Sequence, residues 1–382
     1  MNISPMASNA ETNLFFVLLP TLECNLRCEY CFEEHTALRW DLQQARRVLE
    51  EIFTLLREKA IRHCKLHWQG GEPLLMGMEF WQAIFSMVEQ MARESDISLL
   101  QSMQTNLTLY RSNFAPIVHN HLDGVLGTSF ELSGYRRFPG GDVEKFRSTW
   151  GEAYKKATDD GIEVGVLCLL DEESTRMGFR EYVNMLREEF GVYKVRFTLP
   201  FSPPWARRLG FWMDPDMAGE FMSEGFRVWH AHGGDDWMEI RPFKYLLERF
   251  QGGKMTESGL CMFSRNCVDI AMTILPDGEV TLCDNFTHPA SGVSFGNVFS
   301  QSLIEIFDGE ERKKVKGRVL SLLNEQCTWC RYLSYCYGGC LVRSHYDEKI
   351  NNLKYHYCES YKQLYRAIEE TVTGHDPSSS VG

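Results

Sequence analysis

Short apolar runs punctuate the first half of the chain and alternate with longer stretches whose apolar positions recur every three or four residues. The short runs predict strands at Leu14–Pro20 (LFFVLLP), Lys65–Trp68, Leu99–Thr105, Gly124–Phe130, Glu163–Leu170 and Lys194–Leu199. The helical periodicity predicts helices near 41–61, 77–94, 110–119, 142–159 and 175–190. Strands alternating with helices of this length read as βα units around a parallel sheet. Six units in about 190 residues fall short of the ~250 of a closed eight-stranded barrel. Periodicity alone leaves an open doubly wound sheet and a partial barrel both standing.

The pattern changes at 201–255. Pro203–Pro204, four tryptophans (Trp205, Trp212, Trp229, Trp237) and the breaks Gly233–Gly234 and Gly252–Gly253 predict two helices bridging two domains. Beyond Cys261 the cysteines crowd together, and helical signal returns at Tyr361–Val372. The expected organisation is a disordered start (1–13), the βα domain (14–200), the bridge (201–255), a cysteine-rich domain (256–373) and a disordered tail (374–382).

Composition narrows the function. With 44% hydrophobic residues, 24 Phe, 15 Tyr and 9 Trp, the chain has material for a sizeable core. A net charge of −12 argues against nucleic acid as a main partner. No apolar run approaches the ~20 residues of a membrane span, and Met1–Asn13 lacks the pattern of a signal peptide. The expectation is a cytoplasmic protein without a membrane partner. In that reducing compartment, 13 cysteines at short spacings point to metal rather than to disulfides.

Cys24, Cys28 and Cys31 form a C-x3-C-x2-C loop directly after the first strand. Three thiolates can hold three irons of a 4Fe–4S cluster and leave the fourth open, as a catalytic metal site requires. A structural zinc with a remote fourth ligand is the alternative, although zinc loops usually pair C-x2-C with C-x2-C or with His. The loop, with Tyr30 just before Cys31, resembles the cluster loop of the radical S-adenosylmethionine enzymes. The second strand ends in Gln69-Gly70-Gly71-Glu72-Pro73, similar to that superfamily's motif for the methionyl amino group. The resemblance implies a partial (β/α)6 TIM-like barrel of α/β class. It also implies reductive cleavage of S-adenosylmethionine to a 5′-deoxyadenosyl radical that abstracts a substrate hydrogen. Glu72 would then accept from the ammonium, Asn106 and Ser129 would contact the cofactor, and Arg136 or Arg137, with Arg137 preferred, would hold its carboxylate.

The C-terminal cysteines, Cys261, Cys267, Cys283, Cys327, Cys330, Cys336, Cys340 and Cys358, resemble the SPASM extension. Eight thiolates suit two fully ligated 4Fe–4S clusters, and a pair of four-thiolate zinc sites fits the count equally well. The family's threading implies Cys261, Cys267, Cys283 and Cys340 on one auxiliary cluster and Cys327, Cys330, Cys336 and Cys358 on the other. That makes three 4Fe–4S clusters, with electron transfer as the auxiliary role. Cys64 and Cys168, in or beside apolar strands, are expected to be inert buried thiols. His63 and His67 are not expected to be ligands.

Asp284 directly follows Cys283. This likeness is closest to anaerobic sulfatase-maturating enzymes, which place a catalytic Asp there, and it implies that Asp284 removes a substrate proton. Two departures bear on the substrate. Leu107 stands where the family has a small glycine, and Ser129–Gly134 (SFELSG) replaces an acidic turn. The expected activity is oxidative modification of a residue in a peptide or protein, by formylglycine-type sulfatase maturation or by cross-linking or cyclising a ribosomal peptide. Only about thirteen residues precede the first strand, so an added N-terminal peptide-recognition domain is not expected. An external one-electron donor of the flavodoxin or ferredoxin type is implied. The competing expectation is a radical dehydrogenase of a small molecule such as a sugar or aminocyclitol.

Overall fold

The computed structural model describes residues 13–200, 213–252, 267–340 and 356–374. Six strands follow the predicted βα rhythm: β1 (Asn13–Leu18), β2 (His63–Trp68), β3 (Ser98–Met103), β4 (Val125–Phe130), β5 (Glu163–Leu169) and β6 (Lys194–Thr198). β1, β2 and β3 pair in parallel, as do β4, β5 and β6. A bridge between Gln104 and Gly127, with Thr105 N–H donating to Gly127 O at 2.9 Å, joins the two sets. Two further strands lengthen the row. β7 (Glu239–Arg241) pairs in parallel with β6, and β8 (Ala271–Ile274) with β1. The parallel order is therefore β8-β1-β2-β3-β4-β5-β6-β7, and antiparallel β9 (Glu279–Thr281) and β10 (Gly296–Asn297) continue beyond β8. β7 falls inside the expected bridge and β8 inside the expected cysteine-rich domain, so the sheet crosses both expected boundaries.

The helices cover one face. α1 (Leu42–Glu58) starts at an Asp41–Gln44 capping box and buries Ala45, Val48, Leu49, Ile52, Phe53 and Leu56, the spacing of one helix face. α2 (Met78–Ser95) and α4 (Val143–Asp159) follow the sequence pattern. The helix expected at 110–119 is a 3₁₀ turn (Ser112–Phe114) leading into α3 (Ala115–His121), whose first turn carries Pro116, where a missing N–H costs nothing. The helix expected at 175–190 divides into α5 (Glu172–Met177) and α6 (Phe179–Phe190), because Gly178 adopts φ 85° between them. The bridge supplies α7 (Pro215–Ala231) and α8 (Phe243–Phe250). The C-terminal part adds α9 (Cys267–Ile270), α10 (Leu303–Phe307), α11 (Glu310–Leu322), α12 (Leu333–Cys336) and α13 (Cys358–Thr373). α13 packs along α7, where Ser360 Oγ donates to Pro215 O at 2.6 Å and Gln363 Nε2 to Asp216 Oδ1 at 2.9 Å. No helix of the described residues is long and apolar enough to cross a membrane.

Strand alternation then sorts side chains between two faces. Leu14, Phe16, Leu18, Leu66 and Trp68 lie in the main core under the helices, and buried Cys64 and Cys168 lie there with them. Val17, Leu19 and Leu22, with Phe15 against them, form a separate small cluster on the opposite, inner face. Register adds Lys65, His67 and Ser102 to that face, and on the other half the row Ser129–Leu167–Arg196–Arg241. The inner face is therefore largely polar, and the strand ends that line it carry the candidate site.

Candidate active site

The loop after β1 carries Cys24, Cys28 and Cys31, all partly buried. It is shaped by the chain leaving β2. Gly71 N–H donates to Thr21 O at 2.9 Å and Glu72 N–H to Glu23 O at 2.8 Å. A Cβ on Gly70 would lie 2.2 Å from Thr21 O, and one on Gly71 would lie 2.3 Å from Glu23 O. Gly70 also sits at φ 135°. The two glycines are thus required to lay QGGEP against the backbone just before Cys24.

Glu72 caps the 3₁₀ turn Pro73–Met76 and is fully buried. Oε1 accepts from Leu74 N–H at 2.9 Å and Thr105 Oγ1 at 2.7 Å, and Oε2 accepts from Asn106 N–H at 2.7 Å. Burial pushes its carboxyl above the usual range, against those three donors. Three of about four acceptor positions are therefore filled by this chain, so Glu72 holds the end of β3 beside the cysteine loop. Asn106 continues the link, donating from Nδ2 to Asn25 Oδ1 at 2.8 Å and accepting on Oδ1 from Thr108 Oγ1 at 2.6 Å.

Tyr30 donates its hydroxyl to Glu131 and accepts from Arg136, which also donates from Nε to Glu131 Oε2 at 2.8 Å. Only Glu131 of this trio is fully buried, and the Arg136 charge reaches Cys24, Cys28 and Glu72. Arg137 pairs with Glu29, and its carbonyl accepts from Arg27 N–H at 2.8 Å. Both arginines offered by the sequence for a cofactor carboxylate therefore have acidic partners within the chain. Ser129 accepts from Gln104 Nε2 at 3.0 Å on the inner face.

The charges of Cys24 and Cys28 are felt at Cys31, and that of Cys28 at Cys24; burial pushes Cys24 up to about 11. As free thiols they stay protonated, and a bound metal is what makes such thiols thiolates. Among the described residues no three Cys, His, Asp or Glu side chains converge as the ligands of one ion would. The thiol-only donor set suits an iron–sulfur cluster. In the C-terminal part, Cys336 lies within charge reach of Cys330, Cys358 and Cys327, and burial pushes it up to about 11. Cys330 N–H donates to Cys327 O at 3.0 Å in a tight turn, and Cys358 opens α13. Cys267 opens α9, Cys283 stands two residues past β9 and Cys340 ends the described stretch, while Cys261 lies outside the described residues.

Asp284 begins the 3₁₀ turn after Cys283. Its Oδ2 accepts from Gln69 Nε2 at 3.0 Å and its Oδ1 from Asn285 Nδ2 at 3.2 Å. Burial raises its carboxyl, opposed by Gln69 and by the charge of Arg196. Sequence reasoning missed two neighbours. Thr287 Oγ1 lies 2.8 Å from both Asp284 O and Glu33 Oε2. Glu33 is pushed up to about 8 by burial and by Asp284, and its Oε1 is buried with no hydrogen-bond partner. Position 33, two residues past Cys31, was the available signal.

A parallel barrel with three thiols on its first loop, a glycine-rich segment braced against them and a second cysteine group behind them defines an iron–sulfur enzyme class. Residues 15–133 match the model of the 4Fe–4S single cluster domain, and residues 261–336 that of the SPASM iron–sulfur cluster-binding domain. The chain is 24% identical to a cysteine-type anaerobic sulfatase-maturating enzyme of Clostridium perfringens, over 90% of this chain and 92% of that one. It is 25% identical to a serine-type anaerobic sulfatase-maturating enzyme of Klebsiella aerogenes, over 88% and 82%. The solved structure described as native anSMEcpe with bound AdoMet superposes with TM-score 0.75 at 22% identity, covering 94% of this chain and 98% of that one. The protein is a radical S-adenosylmethionine enzyme with a C-terminal SPASM domain, close to the anaerobic sulfatase maturases. Its cofactors are S-adenosylmethionine and 4Fe–4S clusters.

Proposed function

We propose that this enzyme oxidises a Cys or Ser side chain within a peptide or protein to formylglycine, with Asp284 taking the side-chain proton; for Cys the oxidation gives a thioaldehyde, which water hydrolyses to the aldehyde with release of hydrogen sulfide. The observation that carries the reading is the Gln69–Asp284 hydrogen bond, which holds a carboxylate between the glycine-rich segment and the cysteine loop of the SPASM domain. Bound at the three cysteine groups, the cofactors supply a carbon radical that takes a hydrogen atom and an acceptor for the electron left behind. The chain's own part is to hold and deprotonate the substrate. Gln69 fixes the Asp284 carboxylate by its amide, Asn285 steadies the second oxygen, and Thr287 ties the turn to Glu33.

The proposed ligand sets are Cys24, Cys28 and Cys31 for the radical-generating cluster, with the eight C-terminal cysteines, Cys261 among them, for two auxiliary ones. Tyr30, Gln69–Glu72, Asn106 and Ser129 are the proposed cofactor contacts. Electrons would enter from an external donor of the flavodoxin or ferredoxin type in the cytoplasm. The relatives named as sulfatase-maturating enzymes support the substrate class. The test is anaerobic incubation of the reconstituted enzyme, S-adenosylmethionine and a reductant with sulfatase-derived peptides bearing Cys or Ser. The expected result is an aldehyde at that residue, formed with 5′-deoxyadenosine. A cross-linked peptide, or turnover of a sugar or aminocyclitol in place of any peptide, would overturn it.

A further inference from the structure

We infer that Arg196 binds a carboxylate of the peptide substrate inside the barrel and so orients the residue to be modified; this rests on the reaction proposed above. In β6, Val195 and Phe197 are buried under the helices, so alternation turns Arg196 to the inner face, where it is partly buried. Register places it on one row with Ser129 and Leu167, toward the C-terminal ends of the strands, where parallel barrels bind their ligands.

Arg196 is uncommitted. Among the described residues its guanidinium makes no hydrogen bond or ion pair, in contrast to the arginines around it. Arg136 is held by Glu131, Arg137 by Glu29, Arg27 by the Cys24 and Leu26 carbonyls, and Arg241 by Glu239. Asp284, whose oxygens accept from Gln69 and Asn285, makes no ion pair with it. A partly buried cation left without a partner is offset when an anion arrives. The planar fork of a guanidinium matches a carboxylate with two parallel hydrogen bonds.

Position separates substrate from cofactor. The charge of Arg136 is felt at Cys24, Cys28 and Glu72, beside the cluster loop, whereas that of Arg196 is felt at His67 and Asp284. Arg196 therefore stands on the side of the interior that holds the proposed base. A substrate carboxylate there would otherwise face the negative Asp284, and the guanidinium removes that repulsion. The source is an acidic side chain near the modified residue or the peptide's own C-terminus; the other carboxylate in reach of the barrel is the methionyl one of the cofactor.

The experiment compares the reconstituted full-length parent with Arg196→Gln and Arg196→Lys. The probe is a sulfatase-derived peptide, tested unchanged and with each carboxylate in turn converted to its amide. Peptide binding is read by fluorescence anisotropy without turnover, and S-adenosylmethionine binding by equilibrium dialysis. Arg196→Gln should weaken peptide binding about tenfold or more while cofactor affinity and iron content stay at parent values. One amidated peptide should reproduce that loss in the parent and show no further loss in Arg196→Gln. Weakened cofactor binding with unchanged peptide binding assigns the guanidinium to the cofactor and overturns the inference, as do unchanged affinities for both. Should Arg196→Gln lose iron, Arg196→Lys decides: additive losses with every amidated peptide overturn the assignment. A parent that binds the peptide without modifying it refutes the proposed reaction but leaves the Arg196 comparison readable, and a parent that binds no peptide refutes both.

Discussion

Gln69 donates from its side-chain amide to Asp284 Oδ2 at 3.0 Å, across 215 positions of sequence. Gln69 opens QGGEP at the end of β2, and Asp284 follows Cys283 in the SPASM domain. One side-chain contact thus joins the segment braced against the radical loop to the loop of the second cysteine group. The bond fixes a partly buried carboxylate in direction while leaving lone pairs on both oxygens.

Replacing Asp284 by Asn keeps the shape, and the Asn carbonyl still accepts from Gln69, but the proton acceptor is gone. Asp284→Asn is expected to retain its iron and to form 5′-deoxyadenosine from S-adenosylmethionine, while aldehyde product falls by roughly 10²–10⁴-fold. Liquid chromatography of both products on one reaction checks this. Product at the parent rate would move the base elsewhere.

Glu72 accepts a backbone N–H on each of its oxygens, Leu74 on Oε1 and Asn106 on Oε2. Either orientation of a Gln amide therefore points its NH2 at one of those N–H groups. Glu72→Gln is expected to cost about 1–3 kcal/mol, the penalty of one buried unpaired donor. The shift should be visible as a lower midpoint in anaerobic denaturant titration. Parent stability combined with lost S-adenosylmethionine affinity would confine Glu72 to its proposed cofactor contact and remove its bracing role.

Leu107, standing where the family has a glycine, adopts φ 67° with its side chain fully buried. Truncation should cost about 2–5 kcal/mol in either small variant. Their order is the informative part. Ala normally beats Gly by roughly 0.4–1 kcal/mol through the unfolded chain, but here Ala retains the ~1–2 kcal/mol strain of a left-handed L-residue. Leu107→Gly is expected to be at least as stable as Leu107→Ala by denaturant midpoint, whereas a clear advantage for Ala would mean that the turn relaxes on truncation.

The parts legible in sequence are those whose signal is local. Six strands could be read because their helix-facing positions are apolar in alternation, and the cysteine loops because ligands of one cluster stand a few residues apart. β7 is three residues long, Glu-Ile-Arg, too short for a period to register. β8 reads AMTI with all four positions buried between β1 and β9, so no alternation marks it. Site contacts between distant segments left no trace. Nothing local says that Arg136 turns to Glu131 and Arg137 to Glu29, or that Thr287 meets Glu33. Arg196 had a usable signal, a charge in the inward phase of Lys194–Thr198, and Glu33 had one in its place two residues past Cys31.

His67 on the inner face of β2 has its pKa lowered to about 4, chiefly by burial and then by the charge of Lys65, while Ser102 Oγ lies 2.8 Å from its Nδ1. A histidine depressed in the folded state binds fewer protons there than when unfolded. Its neutral form is compatible with the fold above pH about 6.5, and stability is lost as pH falls from there toward about 4, by up to roughly 3 kcal/mol. Anaerobic denaturation at a series of pH values should show that slope, and His67→Gln should flatten it relative to the parent. Identical slopes would place the acid sensitivity on other groups.

Iron content tests the partition of the cysteines. Three cubanes bring about 12 irons per chain, and each site should respond to its own thiols. Changing Cys24, Cys28 and Cys31 together to Ala should remove about a third of the iron and abolish S-adenosylmethionine cleavage. Changing Cys327, Cys330 and Cys336, the thiols grouped with Cys358, should remove a similar share but spare cleavage in the absence of peptide. The contrast arises because the first loop adjoins QGGEP, through the Thr21 and Glu23 carbonyls, whereas among the described residues no hydrogen bond joins QGGEP to Cys327, Cys330 or Cys336. Cleavage that survives loss of the first three cysteines would separate radical generation from that loop, and zinc recovered without labile sulfide would replace clusters by structural ions.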